Sequence, residues 1–386
     1  MTIEQIYNTL NSVTGQMVGF NAVAVTDIST FYSLGNAILA SNTDTDNFLN
    51  VLVDRIGKTV LRTLDLSLDF PGLLRNEYEF GAVLQKIDIQ PFAAFEAKWA
   101  EVGQPGFIPD PFAVNKPSIS QSLFKDSAAW TIEVAIPDTL FKTAFTSAQA
   151  MDNFITGIFD MIEKSLTMQL NYVTRSAVNG MIAEKMDLSS NSVIDLLTEY
   201  NSGHTPTLTA AEALESPEFL RWATRVINNY ITYLSQPSYL FNEGTKIRAT
   251  QRDNMHVVFN TSWVSSFNVF LQSDVWHNQL TELPYYNEIP WWQGSGNTQP
   301  SDADCMAIKV QTKNGDTVEA DYVLGFLADR EAIGVGLFDK YTAVDRNNKE
   351  RYSAYTSGCQ IQNFVDLSEN IVIFTLGAPT ITPVGP

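Results

Sequence analysis

The sequence predicts an α+β fold in which helices and strands interleave without a regular βαβ order. Three patterns carry this reading. Apolar residues recur at steps of three and four from Met151 through Ile155, Ile158, Ile162, Leu166, Leu170, Val173 and Ala177 to Met181, the mark of one very long helix. Strict alternation at 64–70 and 130–136 marks half-buried strands. Between those strands Pro105, Pro109, Pro111 and Pro117 exclude any regular element, which leaves a long projection.

Taken in order, the first 45 residues are weakly periodic and read as an arm or linker, ending in the polar run 41–46. Phe48, Leu49, Leu52 and Ile56 share one face of a short helix over 46–56. The period then changes to two: Leu64, Leu66, Leu68 and Phe70 alternate with Thr63, Asp65, Ser67 and Asp69, and Pro71-Gly72 ends the strand. Residues 76–136 form an extended excursion, with a second strand opening at Tyr78 and a third at Trp130. Thr146 and Gln149 fit a capping box for the long helix, which spans 148–186, about 58 Å. Its apolar face, widened by Phe154, Phe159 and Met161, suits a helix laid across a sheet better than a coiled-coil seam.

Residues 199–216 read as a loop, after which Ser216-Pro217 starts a second long helix with Leu220, Ala223, Ile227, Ile231 and Leu234 buried. A strand at 255–259 leads into a helix carrying Trp263, Phe267 and Leu271. Four strands are expected toward the end, at 305–311, 322–328, 352–364 and 370–376. There is no internal repeat and no low-complexity tract.

Charged residues make up only 17% of the 386, against a usual share of about 25%, while Phe (23), Tyr (14) and Trp (7) are abundant. Such a composition fits a chain whose nominal surface is covered by a partner, or one with an unusually large core. The net charge of −19 and the lack of any basic run argue against a protein that grips nucleic acid, though not against one that encloses it. The N-terminus lacks the basic start and apolar core of a secretory leader. No apolar stretch approaches the roughly 20 residues of a membrane span, so no membrane association is expected. Cys305 and Cys359 lie far apart without ligand-like spacing, and a reducing compartment is expected.

Gly57-Lys58-Thr59 in VDRIGKTVLR has the look of a P-loop tail, but the motif needs a glycine where Leu52 stands. It also needs strand before and helix after, and here the order is reversed. Gly57 instead suits a helix C-cap, with Lys58 beside the negative end of the helix dipole. His204, His256 and His277 show no zinc-like spacing, and His256 reads as a core residue. No G-x-S-x-G elbow is present, Asp44-Thr45-Asp46 lacks the rest of a calcium loop, and Asn260-Thr261-Ser262 is a sequon without a secretory context. No enzyme activity, cofactor or metal is expected. The proline-bounded loop Leu283–Gly294 carries Tyr285, Tyr286, Trp291 and Trp292 and admits three readings: a loop folded on its own core, a protein interface, or a platform that stacks a sugar or base.

The order of elements, from arm and short helix through long hairpin and very long helix to an aromatic-rich mixed body and returning strands, resembles the major capsid proteins of tailed bacteriophages. These share the Hong Kong 97 fold, and the resemblance is strongest to the branch of short-tailed phi-29-like phages. The residues Asp46–Gly57 carry it most closely, supported by Tyr78–Ile89 and by Leu140–Phe145 leading into the long helix. The resemblance implies an N-terminal arm and short helix (1–59), an E-loop hairpin overlapping a neighbouring subunit (60–137), and a peripheral domain with spine helix (138–204). An axial domain (205–325) and a return to the peripheral domain (326–386) complete it. It implies a structural protein of the virion, made in the host cytoplasm. Such a protein assembles with itself as hexamers and pentamers into an icosahedral head around double-stranded DNA, with scaffolding, portal and decoration proteins as possible partners. The alternatives are an encapsulin-like compartment and a carbohydrate-binding protein using the Tyr285–Trp292 loop. The residues expected at subunit contacts are Arg55, Lys58, Phe80, Lys86, Tyr285, Tyr286, Trp291 and Trp292.

Overall fold

The computed structural model describes residues 3–17, 24–41, 43–49, 51–52, 70–75, 84–90, 119–124, 127–188, 191–244, 246–271, 286–294, 301–347 and 352–383. These fall into two compact units. One comprises Met1–Phe80, Asp126–Val178 and Gly334–Asn363; the other comprises Gly81–Lys125, Asn179–Ile333 and Phe364–Pro386.

The first unit opens with α1 (Ile3–Thr14) and α2 (Ile28–Ala40), so residues that read as an arm hold two helices. Asp27 caps α2 by accepting from the Thr30 amide, and the Thr30 hydroxyl accepts from the Asp27 amide in return. Phe31, Leu34 and Ile38 then bury one face. Residues 43–49 and 51–52 are helical, as the Phe48-Leu49-Leu52 stripe predicts, and all three side chains are buried. The corner at Gly57 and the strand expected at 64–70 lie outside the described residues, apart from a buried Phe70.

The sheet of this unit has the order β1 (Leu74–Arg75), β11 (Ile333–Asn347), β12 (Tyr352–Val365), β4 (Ser127–Pro137). β12 and β4 pair antiparallel over eleven residues, from Tyr352 opposite Pro137 to Gln362 opposite Ser127. After β4 and α3 (Asp138–Ala144) comes α4 (Ala148–Leu188), 41 residues and about 61 Å long. Its N-cap is Ser147, whose hydroxyl accepts from the Ala150 amide; the Thr146 hydroxyl donates instead to the Thr143 carbonyl. The stripe from Met151 to Val173 packs with α1, α2 and the sheet residues Val134, Ile136, Val335, Cys359 and Ile361 in one apolar core.

In the second unit a five-stranded sheet has the order β5 (Val193–Asp195), β13 (Ile371–Thr375), β10 (Val323–Asp329), β6 (Met255–Asn260), β7 (Asn287–Ile289). β10 pairs antiparallel with both β13 and β6, and nearly every residue of β10 and β13 is buried. Such two-sided burial explains why these strands read as continuous apolar runs. Residues 199–216, expected as a loop, carry α5 (Leu196–Gly203) and α6 (Ala210–Glu215). The expectation failed there because both helices are only one to two turns long and offer too short an apolar repeat. Only the α6 cap, Thr209 with Glu212, marks a helix start there. Next come α7 (Pro217–Leu234), capped by Ser216 as expected, and α8 (Thr261–Ser266), which continues as a π turn over Phe267–Leu271.

Residues 305–307, expected as strand, belong to or follow α9 (Asp302–Met306), capped by Ser301; β8 (Ile308–Gln311) starts only at Ile308. β8, β9 (Thr317–Ala320) and β14 (Thr380–Thr382) form a small separate sheet. The remaining sheet is the two-stranded hairpin of β2 (Leu84–Ile89) and β3 (Ile119–Phe124).

Gly325, in the middle of β10, has the Val258 carbonyl oxygen and the Phe259 ring where a Cβ would stand. A Gly325→Ala substitution is expected to cost about 3 kcal/mol because backbone must move. At Gly358 a Cβ meets only the outer end of the exposed Tyr341 ring, which can swing away. Chemical denaturation of the two variants should show a large loss for Gly325→Ala and a small one for Gly358→Ala.

Candidate functional site

The hairpin β2–β3 is the most unusual surface among the described residues, because its two faces are inverted. Residues opposite one another in an antiparallel pair share a face. One face therefore holds Gln85 with Leu123, Ile87 with Gln121, and Ile89 with Ile119; the other holds Leu84 with Phe124, Lys86 with Ser122, and Asp88 with Ser120. The aliphatic face is the open one: Ile87, Ile89, Ile119 and Leu123 are 59, 62, 60 and 51% exposed. The charged face is turned toward the body of its own unit.

That face ends in a cluster of ion pairs. The Lys86 ammonium lies 2.8 Å from Asp366, 2.6 Å from Glu369 and 3.6 Å from Glu331. Two residues on, Asp88 receives Arg248 at 2.8 Å and Lys246 at 3.1 Å, and accepts from the Gln90 amide at 2.9 Å. Arg248 also reaches Glu369 at 3.0 Å. The Gln90 side chain accepts from the Ile247 amide, and Lys246 donates to Ser120. At the other end of the hairpin Phe124 packs on Phe364, with ring centroids 5.5 Å apart.

The electrostatics follow from this packing. Burial alone would pull the Lys86 ammonium down, but hydrogen bonds to Asp366 and Glu369 outweigh it and hold its pKa above the usual lysine value. Burial pushes Asp366 and Asp88 up, yet Lys86 and Ser368 hold the first below the usual carboxylate range, and Lys246, Gln90 and Arg248 do the same for the second. For Glu369 burial wins over Lys86 and Arg248, and its pKa is raised.

The expected contact residues fare unequally. Arg55, Lys58, Phe80 and Tyr285 lie outside the described residues. Lys86, expected at a subunit contact, is largely buried and paired within its own chain. Trp292 is fully buried: its indole donates to the Val323 carbonyl at 2.8 Å, and its own carbonyl accepts from Asn179. Tyr286 is half-buried with its ring edge-on to Phe259, and burial raises its phenol pKa. Trp291 alone of the described aromatics in this loop is open, 40% exposed. Within the described part of the loop, residues 286–294, Trp292 anchors the chain to its own core.

Little of this supports chemistry. Among the described residues no group of three or more His, Cys, Asp or Glu is placed to hold a metal ion, and no helix is long and apolar enough to cross a membrane. An apolar groove of about 570 Å³ in the first unit, lined by Ile136, Leu140, Phe154, Gly157 and Met161, has no titratable side chain among its described lining residues. His204 stacks flat on Tyr200 beside its carbonyl, and neither Cys305 nor Cys359 is in a disulfide. The Asn260 amide is spent on capping α8 and on the Cys305 carbonyl.

The partners missed at the sequence level are Asp88, Lys246, Arg248, Asp366 and Glu369. For Asp88 the signal is the string LQKIDI (84–89), in which the ions share one face of the strand; nothing local marks the other four.

The family model of the Phi29-like phage major capsid protein matches residues 8–375. Among solved structures, a chain from the head fiber and inner core protein gp22 structure of native bacteriophage P68 aligns with a TM-score of 0.50. It has 12% identity and covers 81% of this chain and 85% of its own. A chain from the capsid structure of Staphylococcus phage Andhra aligns with a TM-score of 0.49 at 11% identity, covering 79% of this chain and 83% of its own. At such identities the P68 likeness speaks for the fold. No curated protein matches the chain.

The two loop tryptophans should separate cleanly on substitution. Trp292→Ala is expected to destabilise the second unit by about 3–5 kcal/mol in denaturant titrations, through the cavity and the orphaned carbonyl of Val323. Trp291→Ala should leave the midpoint nearly unchanged.

Proposed function

The chain belongs to the family of Phi29-like phage major capsid proteins, and from this premise we propose how its copies build the head. It is a structural protein of the phage capsid with a fold of the Hong Kong 97 type. In our reading copies made in the host cytoplasm associate as hexamers and pentamers and close an icosahedral shell around packaged double-stranded DNA. Scaffolding, portal and decoration proteins are expected to share in assembly.

The observation that carries this is the inverted hairpin. A water-soluble subunit gains nothing by turning Ile87, Ile89, Ile119 and Leu123 outward while setting Lys86 and Asp88 inward. The arrangement becomes favourable when a second copy covers the aliphatic face. The hairpin corresponds to the E-loop of the fold, and we place the subunit contact on those four residues rather than on Lys86. The exposed Met168 and Tyr172 on α4 extend the apolar surface open to neighbours in the first unit. The low charged fraction then reflects surface reserved for other copies, and the net charge of −19 suits a wall that encloses DNA without trapping it. A compartment of the encapsulin kind and a sugar platform at Tyr285–Trp292 gain no support, the latter because Trp292 is internal.

The test is assembly of purified protein, alone and with its scaffolding protein, followed by light scattering and negative-stain microscopy. Closed shells are expected for the wild type, and a monodisperse monomer under both conditions would sink the reading. Ile89→Lys/Ile119→Lys, which places two cations directly opposite one another on the open face, should fold with a native circular dichroism spectrum yet stay as subunits. Wild-type shells from this variant would remove the hairpin from the contact.

A further inference from the structure

We propose that the hairpin β2–β3 is a detachable element, seated on its own subunit by a charge-coded clasp and released as a unit when that clasp is weakened. This goes beyond the assembly reading, because it concerns an equilibrium within one chain.

The seat is polar almost throughout. From β2 it takes one cation and one anion, two residues apart on the same face. From the body it takes two segments of opposite sign: Asp366 and Glu369 in the turn before β13, and Lys246 and Arg248 in the segment before β6. Glu331, just after β10, adds a third carboxylate near Lys86, and Asp329 at the end of β10 lies near enough to raise Glu369 further. The pattern fixes one register. A slip of two residues along the seat would bring Lys86 against Lys246 and Arg248, or Asp88 against Asp366 and Glu369.

The same pattern makes the seat reversible. Largely buried ion pairs owe a desolvation cost that cancels much of their attraction, and water restores the solvation of both partners when they separate. An apolar seat would have no such exit. The ring contact of Phe124 on Phe364 sits at the end of the hairpin where β2 begins and β3 finishes, and can act as a pivot. An isolated two-stranded hairpin is at best marginally stable, so on release its amides lose protection.

Ionic strength and acid should both open the clasp. Asp88 and Asp366 are held below the ordinary aspartate value. Their contribution is complete above about pH 4 and is lost as pH falls from there toward their lowered values. Glu369, raised instead, is protonated more readily in the seated state and opposes them, so acid release is incomplete. Lys86, raised, keeps its contribution below its ordinary value and loses it only at more alkaline pH.

Hydrogen exchange by mass spectrometry on dilute, unassembled full-length protein tests this. Peptides covering 84–90 and 119–124 should exchange at least about tenfold faster at about 1 M than at about 0.05 M NaCl, with those of β10 unchanged. Lys86→Met and Asp88→Asn should show fast hairpin exchange already at low salt, and Lys86→Arg should restore protection. Lys309→Met, which removes an exposed pair with Glu319, is the control. Hairpin exchange that tracks β10 and ignores salt would overturn the proposal, as would Lys86→Met behaving like Lys309→Met. If the clasp variants do not fold, the wild-type salt series decides alone. If shells form normally but the salt series is flat, the clasp fails and the assembly reading stands.

Discussion

The register of β10 against its two neighbours is the constraint on which the second unit depends. Ala328 stands opposite both Ile371 and His256, and Asp329 stands opposite Met255, so three strand ends finish at the same edge of the sheet. That edge is tied off by main-chain bonds. The Asp329 amide donates to Asn370, the Asp366 amide to Ala332, and the Arg330 amide to Asn254. Thr250 donates to the Asp329 carboxylate and accepts from Asn370, which locks the segment before β6 to the same corner. Because the buried strands leave no freedom in register, the turn 366–369 and the segment 246–248 are delivered to fixed places. Pairing in the core thus places the body's half of the clasp, and Lys86 and Asp88 of the hairpin supply the other half.

This arrangement also accounts for where the charge of the chain has gone. A subunit with few charged residues sets several of them inside, as Lys86, Asp88, Asp366 and Glu369, and one more, Lys185, fully buried against Glu243 at 2.9 Å. Burial pulls the Lys185 ammonium down, against the opposing pull of Glu243. Meanwhile long aliphatic side chains stand in the open on β2, β3 and α4. In a monomer that distribution would be a liability; in a chain that belongs to a capsid family it is the expected division between inner scaffolding and outer contact.

How much of this could be read from the sequence depends on whether the partners were local. The long helix and β4, β6, β10, β12 and β13 were legible because each carries its own period over many residues. α2 was not, since Gly35 and the small polar residues dilute a stripe of only three large side chains; the Asp27–Thr30 cap was its clearest sign. β11, fifteen residues long, was passed over because its latter half mixes ions with small residues and shows no clean alternation. For the site the division is sharper. The exposed face of the hairpin was visible in LQKIDI, whereas the partners of Lys86 stand 280 and 283 residues away and no spacing rule connects them. Likewise Trp291 and Trp292 are adjacent in sequence, and only the Val323 carbonyl decides which of them turns inward.

Magnitudes decide which face of the hairpin governs its position. Covering the exposed parts of four aliphatic side chains yields about 1–2 kcal/mol each, several kcal/mol in all, less the ordering cost of association. The clasp, after desolvation of its ions, has a net worth of no more than a few kcal/mol. A neighbouring copy that grips the aliphatic face can therefore outweigh the subunit's own hold on the charged face, whereas the reverse does not follow. In a free subunit the clasp sets the hairpin in one register and keeps its ions paired. If copies meet on the aliphatic face as proposed, that face would set where the hairpin lies, and the clasp would give way where the geometry requires it. A seat built from leucines would have resisted that adjustment; a seat built from hydratable ions does not.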